Sequence, residues 1–154
     1  MTIAIGKPVP DFALPATSAT TVKLSQLKDK NVVLYFYPKD CTSGCTLQGQ
    51  NFRDQYTKFK KLDTEIFGIS RDTLKLHEKF KGEQNFPFEL ISDNEEKLCQ
   101  LFDVIKDKTM YGKKVRGIER STFLIDKEGI LRQAWRKVKV DGHVDEVLQA
   151  VKNL

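Results

Sequence analysis

Residues 31–45, NVVLYFYPKDCTSGC, decide the fold that this chain is expected to adopt. Residues 31–37 form an almost unbroken run of apolar, β-branched and aromatic side chains, which is typical of a strand covered on both faces. Pro38 ends this strand because it has no N–H group to donate to a sheet. Residues 43–62 then follow a helical period, with apolar side chains near one face at Leu47, Phe52, Tyr56 and Phe59. The segment predicts a buried strand, a short loop and a long helix.

Similar patterns on both sides of this unit predict further strands and helices. The segments TEIFGIS (64–70) and FPFELISD (86–93) are predicted strands, and STFLIDKEGILRQAW (121–135) is a predicted hairpin with Gly129 in its turn. Helical periodicity covers residues 74–80, 94–102 and 142–154. DFALPA (11–16) and TTVKLSQL (20–27) are short extended segments near the N-terminus. We therefore expect an α/β protein with a mixed central sheet flanked by helices.

The length and the composition favour one cytoplasmic domain, residues 1–154. The three cysteines are too few for a disulfide framework, and the start, MTIAIGKPVPDF, lacks the pattern of a secretion signal. No apolar run approaches the roughly 20 residues that cross a bilayer, so we expect reduced thiols and no membrane binding. The net charge is +5, and the densest basic run is IKDKTMYGKKVRG (105–117). It matches no nucleic-acid-binding signature, so a solvated basic face and no nucleic-acid partner are expected.

Cys41 and Cys45 raise the question of function because they lie close together in a chain with few thiols. Their spacing is neither the C-x-x-C of a dithiol motif nor a set of four metal ligands, and His77 and His143 fall in helical segments that are expected to be exposed. Cys45 falls in or near the first turn of the long helix, where free N–H groups and the helix dipole favour a thiolate. An activated nucleophile is therefore the leading hypothesis, and an inert buried thiol is the alternative.

The stretch PKDCTSGC also fits the Pro-x-x-x-Thr/Ser-x-x-Cys motif of peroxiredoxins. The runs VVLYFYPKD, FPFELISD, LFDVIKDKTMYGKKVRGIERSTFLID and AWRKVKVDGH resemble the bacterioferritin-comigratory, or peroxiredoxin Q, subfamily over nearly the whole chain. This resemblance implies a thioredoxin-like fold with an N-terminal β-hairpin extension. It also implies a monomer that reduces hydrogen peroxide and organic hydroperoxides. We expect no bound cofactor, because the thiol carries the chemistry itself and the sequence has no nucleotide-binding glycine fingerprint, and the spacing of the cysteines and histidines predicts no metal.

The resemblance assigns roles to residues of the motif. Cys45 matches the peroxidatic cysteine, which attacks a peroxide oxygen and becomes a sulfenic acid. Thr42 matches the hydroxyl that binds peroxide and thiolate, although helix capping would also explain it. Pro38 matches the residue that shields the thiolate from water, and Gly44 is a supporting member of the motif.

Two further residues complete the implied site. Arg120, in GIERST, matches the arginine whose guanidinium reaches the thiolate and stabilises the charge that moves to the leaving oxygen. Gln48 lies where the subfamily usually has a glutamate that orients this arginine. A neutral amide can still accept the hydrogen bond, so we expect the positioning role to survive with weaker charge coupling.

The chain departs from the subfamily at both usual positions of the resolving cysteine, which are Gln50 and Lys81 here. Three routes for the sulfenic acid remain open. In the first, an external thiol (glutathione, glutaredoxin or thioredoxin) attacks the sulfenic acid directly. In the second, Cys41 forms a disulfide with Cys45, which the spacing does not forbid. In the third, Cys99 forms the disulfide, although a part-buried, inert thiol is the simpler interpretation of Cys99.

Two other functions compete with peroxide reduction. Oxidation of Cys45 could switch the partner binding of a redox sensor or a chaperone-like interaction protein. The basic run at Lys113, Lys114 and Arg116 could serve a nucleic-acid-associated domain.

Overall fold

The computed structural model describes residues 3–154, which form nine strands, four α-helices and one 3-10 turn at Leu24–Leu27. The strands are β1 (Ala13–Ala16), β2 (Thr20–Lys23), β3 (Asn31–Phe36), β4 (Thr64–Ser70), β5 (Glu89–Ser92), β6 (Ile105–Met110), β7 (Lys113–Ile118), β8 (Ser121–Ile125) and β9 (Leu131–Trp135). The helices are α1 (Ser43–Lys60), α2 (Leu74–Gln84), α3 (Lys97–Leu101) and α4 (His143–Lys152).

Seven of the strands form one mixed sheet in the order β2-β1-β5-β4-β3-β8-β9. β3, β4 and β5 are parallel, because α1 and α2 provide the crossover connections that parallel neighbours require. β8 and β9 continue the sheet as an antiparallel hairpin beside β3. All six residues of β3 are buried, as its apolar run predicts. The predicted α/β class and mixed sheet are confirmed.

The side chains of β3 alternate between two apolar layers on opposite faces of the sheet. Leu34 packs in one layer with Cys99 of α3, whereas Tyr35 packs in the other with Cys45 and Phe52 of α1. Burying a side chain the size of Phe52 contributes about 1.5–3 kcal/mol, so this contact fixes α1 on its face of the sheet. The two buried cysteines are therefore separated by the sheet.

The N-terminal hairpin of β1 and β2 extends the sheet at its β5 edge, which confirms the predicted extension. Ala16 pairs with Ile91, and the Thr17 hydroxyl donates to Glu89 at 2.6 Å. The Thr17 N–H also donates to the carbonyl of Leu90 at 3.0 Å. The extension is therefore held by hydrogen bonds beyond the strand ladder.

The basic run folds as a separate β6–β7 hairpin, which the sequence patterns did not predict. Glu96 binds this hairpin to the rest of the fold. Arg116 of β7 donates to both of its carboxylate oxygens, at 2.5 and 2.7 Å, and Arg71 donates to one of them at 2.9 Å. Hydrogen bonds from Arg116 and Arg71 lower the pKa of Glu96 to about 2. Within residues 3–154, none of the helices combines the length and apolar character that a bilayer crossing requires.

Three predicted exposures are wrong. Leu47 was placed on the apolar face of α1 but is 49% exposed, because that face contains Gln48 and Gly49 instead. His77 and His143 were expected to be exposed, yet both are buried. Each imidazole finds a hydrogen-bond partner from a distant part of the chain, which makes its burial tolerable.

Candidate active site

Cys45 lies in the first turn of α1, directly after the loop that follows β3. The first backbone hydrogen bond of this helix runs from the Thr46 N–H to the carbonyl of Thr42, at 2.8 Å. The N–H groups of residues 43–45 therefore precede the helical ladder and contribute to the positive end of the helix dipole. Cys45 is only 2% exposed, so its side chain lies at this end of the helix dipole away from bulk water.

Arg120 lies next to this sulfur although it is distant in sequence. Its Nη2 donates to the Cys45 Sγ at 3.4 Å, and its Nη1 donates to the Oε1 of Gln48 at 2.5 Å. Gln48 is fully buried one turn after Cys45, so the two residues present sulfur and amide oxygen on the same face of α1. The structure thus brings the predicted Cys45, Arg120 and Gln48 together.

Gly44 leaves the space that the guanidinium needs. A Cβ atom at this position would lie 3.2 Å from Nη2 of Arg120, closer than such contacts normally are. The backbone of Arg120 is also held, since its carbonyl accepts from the N–H of Val138 at 3.0 Å. Glycine at position 44 therefore allows the arginine to reach the sulfur.

The charge of Arg120 is not neutralised by a carboxylate among residues 3–154. The described contacts of its guanidinium are with Gln48 and Cys45, and no ion pair joins it to an acidic side chain in this range. Its positive charge also reaches His143: burial and, second, the Arg120 charge lower the pKa of this imidazole to about 4. The site is therefore locally electropositive.

Thr42 and Pro38 occupy the loop before α1, and both are exposed. Thr42 is the N-cap residue of α1, but its side chain makes no capping hydrogen bond. Its hydroxyl donates instead to the carbonyl of Lys39 at 2.8 Å, which leaves the oxygen lone pairs free to accept from another donor. Pro38 follows the buried Tyr37 and begins the loop.

Cys41 does not share the environment of Cys45. It is exposed, adopts a left-handed backbone conformation with φ of 63°, and its Sγ lies 4.0 Å from Oε1 of Glu83 on α2. Desolvation of the sulfur and, second, the Glu83 carboxylate raise the pKa of this thiol. Less thiolate is therefore present at neutral pH than in an ordinary cysteine.

Cys99 is fully buried on the opposite face of the sheet. Its N–H donates to Oδ2 of Asp93 at 2.7 Å, and burial together with this carboxylate raises the pKa of the thiol far above its usual range. The two positions that the resemblance assigns to a resolving cysteine hold polar side chains with partners of their own. Gln50 donates to Gln84 at 2.8 Å, and Lys81 donates to Ser18 at 2.9 Å.

A buried polar cluster beside the motif was missed by the sequence analysis. Asp40 accepts from the Tyr37 hydroxyl at 2.6 Å and contacts Nδ1 of His77 at 2.6 Å, and Asp72 accepts from the Asp40 N–H at 2.8 Å. Ligand atoms of Asp40, Asp72 and His77 lie within 4.8 Å of one another, but the short contact between carboxylate and imidazole is a hydrogen bond that leaves no gap for an ion. Only the position of Asp40 inside the motif could have drawn attention to this cluster.

Comparisons with known proteins identify close relatives. Residues 5–134 match the model of the AhpC/TSA family. The chain is 53% identical over 154 residues to peroxiredoxin Bcp of Bacillus subtilis, covering all of this chain and 98% of that protein. It is 35% identical over 147 residues to peroxiredoxin Bcp of Escherichia coli, covering 96% of this chain and 94% of that one.

Two solved structures are similar over nearly their whole length. A structure of Xanthomonas campestris peroxiredoxin Q superimposes with a TM-score of 0.88 at 50% identity, covering 92% of this chain and 90% of that chain. A cysteine-to-serine mutant of Xylella fastidiosa PrxQ gives a TM-score of 0.93 at 41% identity, covering 99% and 98%. These neighbours confirm the thioredoxin-like fold.

Proposed function

Because this chain belongs to the AhpC/TSA family, in its Bcp and peroxiredoxin Q subfamily, we propose that Cys45 is the peroxidatic residue of a thiol-dependent peroxidase. The activity itself follows from the subfamily. The observation that supports Cys45 is the 3.4 Å contact between its sulfur and Nη2 of Arg120 at the start of α1. Neither Cys41 nor Cys99 has a described hydrogen bond from an arginine.

In the first half-reaction, the Cys45 thiolate attacks one oxygen of the hydroperoxide. A sulfur–oxygen bond forms, the oxygen–oxygen bond breaks, and the departing alkoxide or hydroxide takes up a proton to leave as an alcohol or water. Cys45 is left as a sulfenic acid, two electrons more oxidised than the thiol. Both hydrogen peroxide and alkyl hydroperoxides are proposed as substrates, since alkyl peroxide reduction is described for the Xanthomonas campestris relative.

Arg120 and Thr42 are proposed to assist this step. Negative charge moves from sulfur to the departing oxygen in the transition state, and a guanidinium fixed by Gln48 lowers the energy of that charge without losing its proton. The Thr42 hydroxyl donates its hydrogen bond to the Lys39 carbonyl, so the lone pairs of its oxygen can accept a hydrogen bond from the O–H group of the hydroperoxide. Pro38 and Gly44 would shape the space around these two groups.

We propose that an external thiol completes the cycle. One thiol attacks the sulfenic acid to give a mixed disulfide and water, and a second thiol releases Cys45 as a thiol and leaves as part of a disulfide. This route is favoured because the raised pKa of Cys41 makes it a poor nucleophile at neutral pH, and because Cys99 lies across the sheet. Glutathione, glutaredoxin and thioredoxin are all candidates of this class.

The experiment is peroxide consumption with dithiothreitol, followed by intact-mass analysis after one equivalent of hydrogen peroxide without reductant. We expect C45S to abolish turnover, whereas C99S, its matched buried control, retains it. The wild-type mass should increase by one oxygen. A mass decrease of two hydrogens that disappears in C41S would instead establish a two-cysteine cycle, and turnover by C45S would refute the proposed role.

A further inference from the structure

A chain of buried hydrogen bonds joins the loop before α1 to three other elements of the fold. It is formed by Tyr37 directly after β3, Asp40 in the loop, and His77 on α2. His77 continues the chain through Nε2, which contacts the carbonyl of Ile91 on β5 at 3.0 Å. The side chains of His77 and Asp40 are 0% and 2% exposed, so water does not replace these contacts.

The hydrogen-bond partners determine where the protons lie. A carbonyl oxygen only accepts, so Nε2 of His77 carries a hydrogen that it donates to Ile91. Nδ1 then faces Oδ2 of Asp40 at 2.6 Å, and one proton must lie between them, because two bare lone pairs would repel at this distance. The other oxygen of Asp40 accepts from Tyr37. Each polar atom of the Asp40 carboxyl group is thus engaged.

The backbone of Asp40 is held as well. Its N–H donates to Oδ2 of Asp72 at 2.8 Å, and the same oxygen accepts from the hydroxyl of Ser70 at 2.6 Å. Lys39 and Thr42 lie on either side of Asp40 in the loop, and the Lys39 carbonyl accepts the hydrogen bond that orients the Thr42 hydroxyl. The orientation of Thr42 therefore depends on a loop whose buried anchor is Asp40.

We infer that Asp40 is a positioning residue for peroxide binding, which rests on the proposed function of Cys45 and Thr42. Held by His77 and Tyr37, it keeps the Lys39 carbonyl and the Thr42 hydroxyl in the arrangement that accepts the hydroperoxide. The role depends on hydrogen-bond geometry and not on the charge of the carboxylate. An asparagine at position 40 satisfies the same partners, since its amide group donates to Nδ1 of neutral His77 and its oxygen accepts from Tyr37.

The test compares D40A with D40N in peroxide-dependent turnover. We expect D40A to lower kcat/KM for hydrogen peroxide by about 10- to 100-fold, mainly through KM, because a displaced binding group costs that much. D40N should remain close to wild type. In a T42V background, D40A should have little further effect, because Asp40 acts through Thr42.

N31A is the matched control, since Asn31 is a buried residue at the other end of β3 whose side chain donates to the Leu62 carbonyl at 3.3 Å. It should lower stability toward urea without changing KM for peroxide. If D40A does not fold, Y37F removes one hydrogen bond from Asp40 and should change KM in the same direction. The inference is overturned if D40A and Y37F retain the wild-type KM, if D40N is as impaired as D40A, or if D40A has its full effect in T42V.

A second readout does not need turnover. Hydrogen exchange at the Asp40 amide, whose N–H donates to Asp72, should be faster in D40A and unchanged in D40N and N31A. If the wild type failed to consume peroxide, the proposed function would be refuted, and this exchange pattern alone would decide whether Asp40 anchors the loop. Unchanged exchange in D40A would refute the anchor while leaving the proposed peroxidase in place.

Discussion

At the scale of single residues, the amide of Gln48 determines how Arg120 is held. Its Oε1 accepts a hydrogen bond from Nη1 of Arg120, which is the contact expected of a neutral side chain at this position. Its Nε2 is buried without a hydrogen-bond partner among the described residues, which shows that the amide is oriented by its oxygen. Because no acidic side chain in residues 3–154 pairs with Arg120, its whole charge acts on Cys45 and its surroundings.

Replacing Arg120 tests this charge directly. We expect R120A to lower kcat/KM for hydrogen peroxide by about 10²–10³-fold, the usual effect of losing one fixed donor that stabilises developing charge. R120K should recover only part of the loss, since an ammonium group lacks the planar fork that reaches Gln48 and Cys45 together. Stopped-flow oxidation with hydrogen peroxide measures the effect, and equal rates in wild type and R120A would exclude the arginine from this step.

At the scale of elements, α1 depends on a close approach between helix and aromatic ring. A Cβ atom at Gly49 would clash with the ring of Phe86, which is itself buried between α2 and β5. This glycine therefore has a packing role, one turn after Cys45. The helical period of the sequence identified α1 correctly, but it assigned Leu47 to the buried face because periodicity does not reveal which small or polar residue is covered.

Substitution of Gly49 tests the close contact between α1 and the Phe86 ring. We expect G49A to lower the free energy of unfolding by about 1–3 kcal/mol, because overpacking displaces the Phe86 ring. The control is G82A on α2, where an added Cβ meets no atom within 4 Å, and where alanine should raise stability by about 0.5–1 kcal/mol. Urea unfolding measures both, and a stabilising effect of G49A would show that the ring moves without cost.

Sequence patterns predicted those elements whose burial follows from their own residues. The apolar run of β3 is the example. Turn chemistry was also readable, since Gly129 adopts the positive φ, +80°, that favours glycine in a turn. The β6–β7 hairpin was missed because β7 is largely exposed and both strands carry basic side chains, so no apolar alternation marks them. The burial of His77 and His143 was also missed, because each depends on a partner, Asp40 or Thr122, that only the folded chain brings near.

At the scale of the whole molecule, one buried histidine, His143, links stability to pH. His143 contacts the Thr122 hydroxyl at 2.8 Å and packs edge-on against Phe52 and Trp135, so it joins α4 to the sheet and to α1. Burial and the charge of Arg120 lower its pKa from 6.5 to about 4. The folded protein therefore holds this imidazole neutral where the unfolded chain would protonate it.

The sign of the effect follows from this difference. Above pH 6.5, His143 is neutral in the folded and in the unfolded protein, so it does not reduce stability. Between pH 6.5 and about 4, the imidazole is protonated in the unfolded chain but still neutral in the folded protein, which favours unfolding. We expect this group alone to reduce the free energy of unfolding by about 3 kcal/mol across that interval, with no further loss below it. Urea unfolding of wild type and H143Q measures it: the difference between their free energies of unfolding should change by about 3 kcal/mol between pH 6.5 and pH 4. A difference independent of pH would contradict the prediction.

The central claim is that Cys45 is the sulfur that attacks peroxide. The most direct measurement treats the wild-type protein with one equivalent of hydrogen peroxide in the presence of a sulfenic-acid-specific dione probe and maps the labelled peptide by mass spectrometry. The geometry of Cys45 and Arg120 predicts label on Cys45 and none on Cys41 or Cys99. Label on Cys41 or Cys99 with Cys45 left as a free thiol would contradict the account.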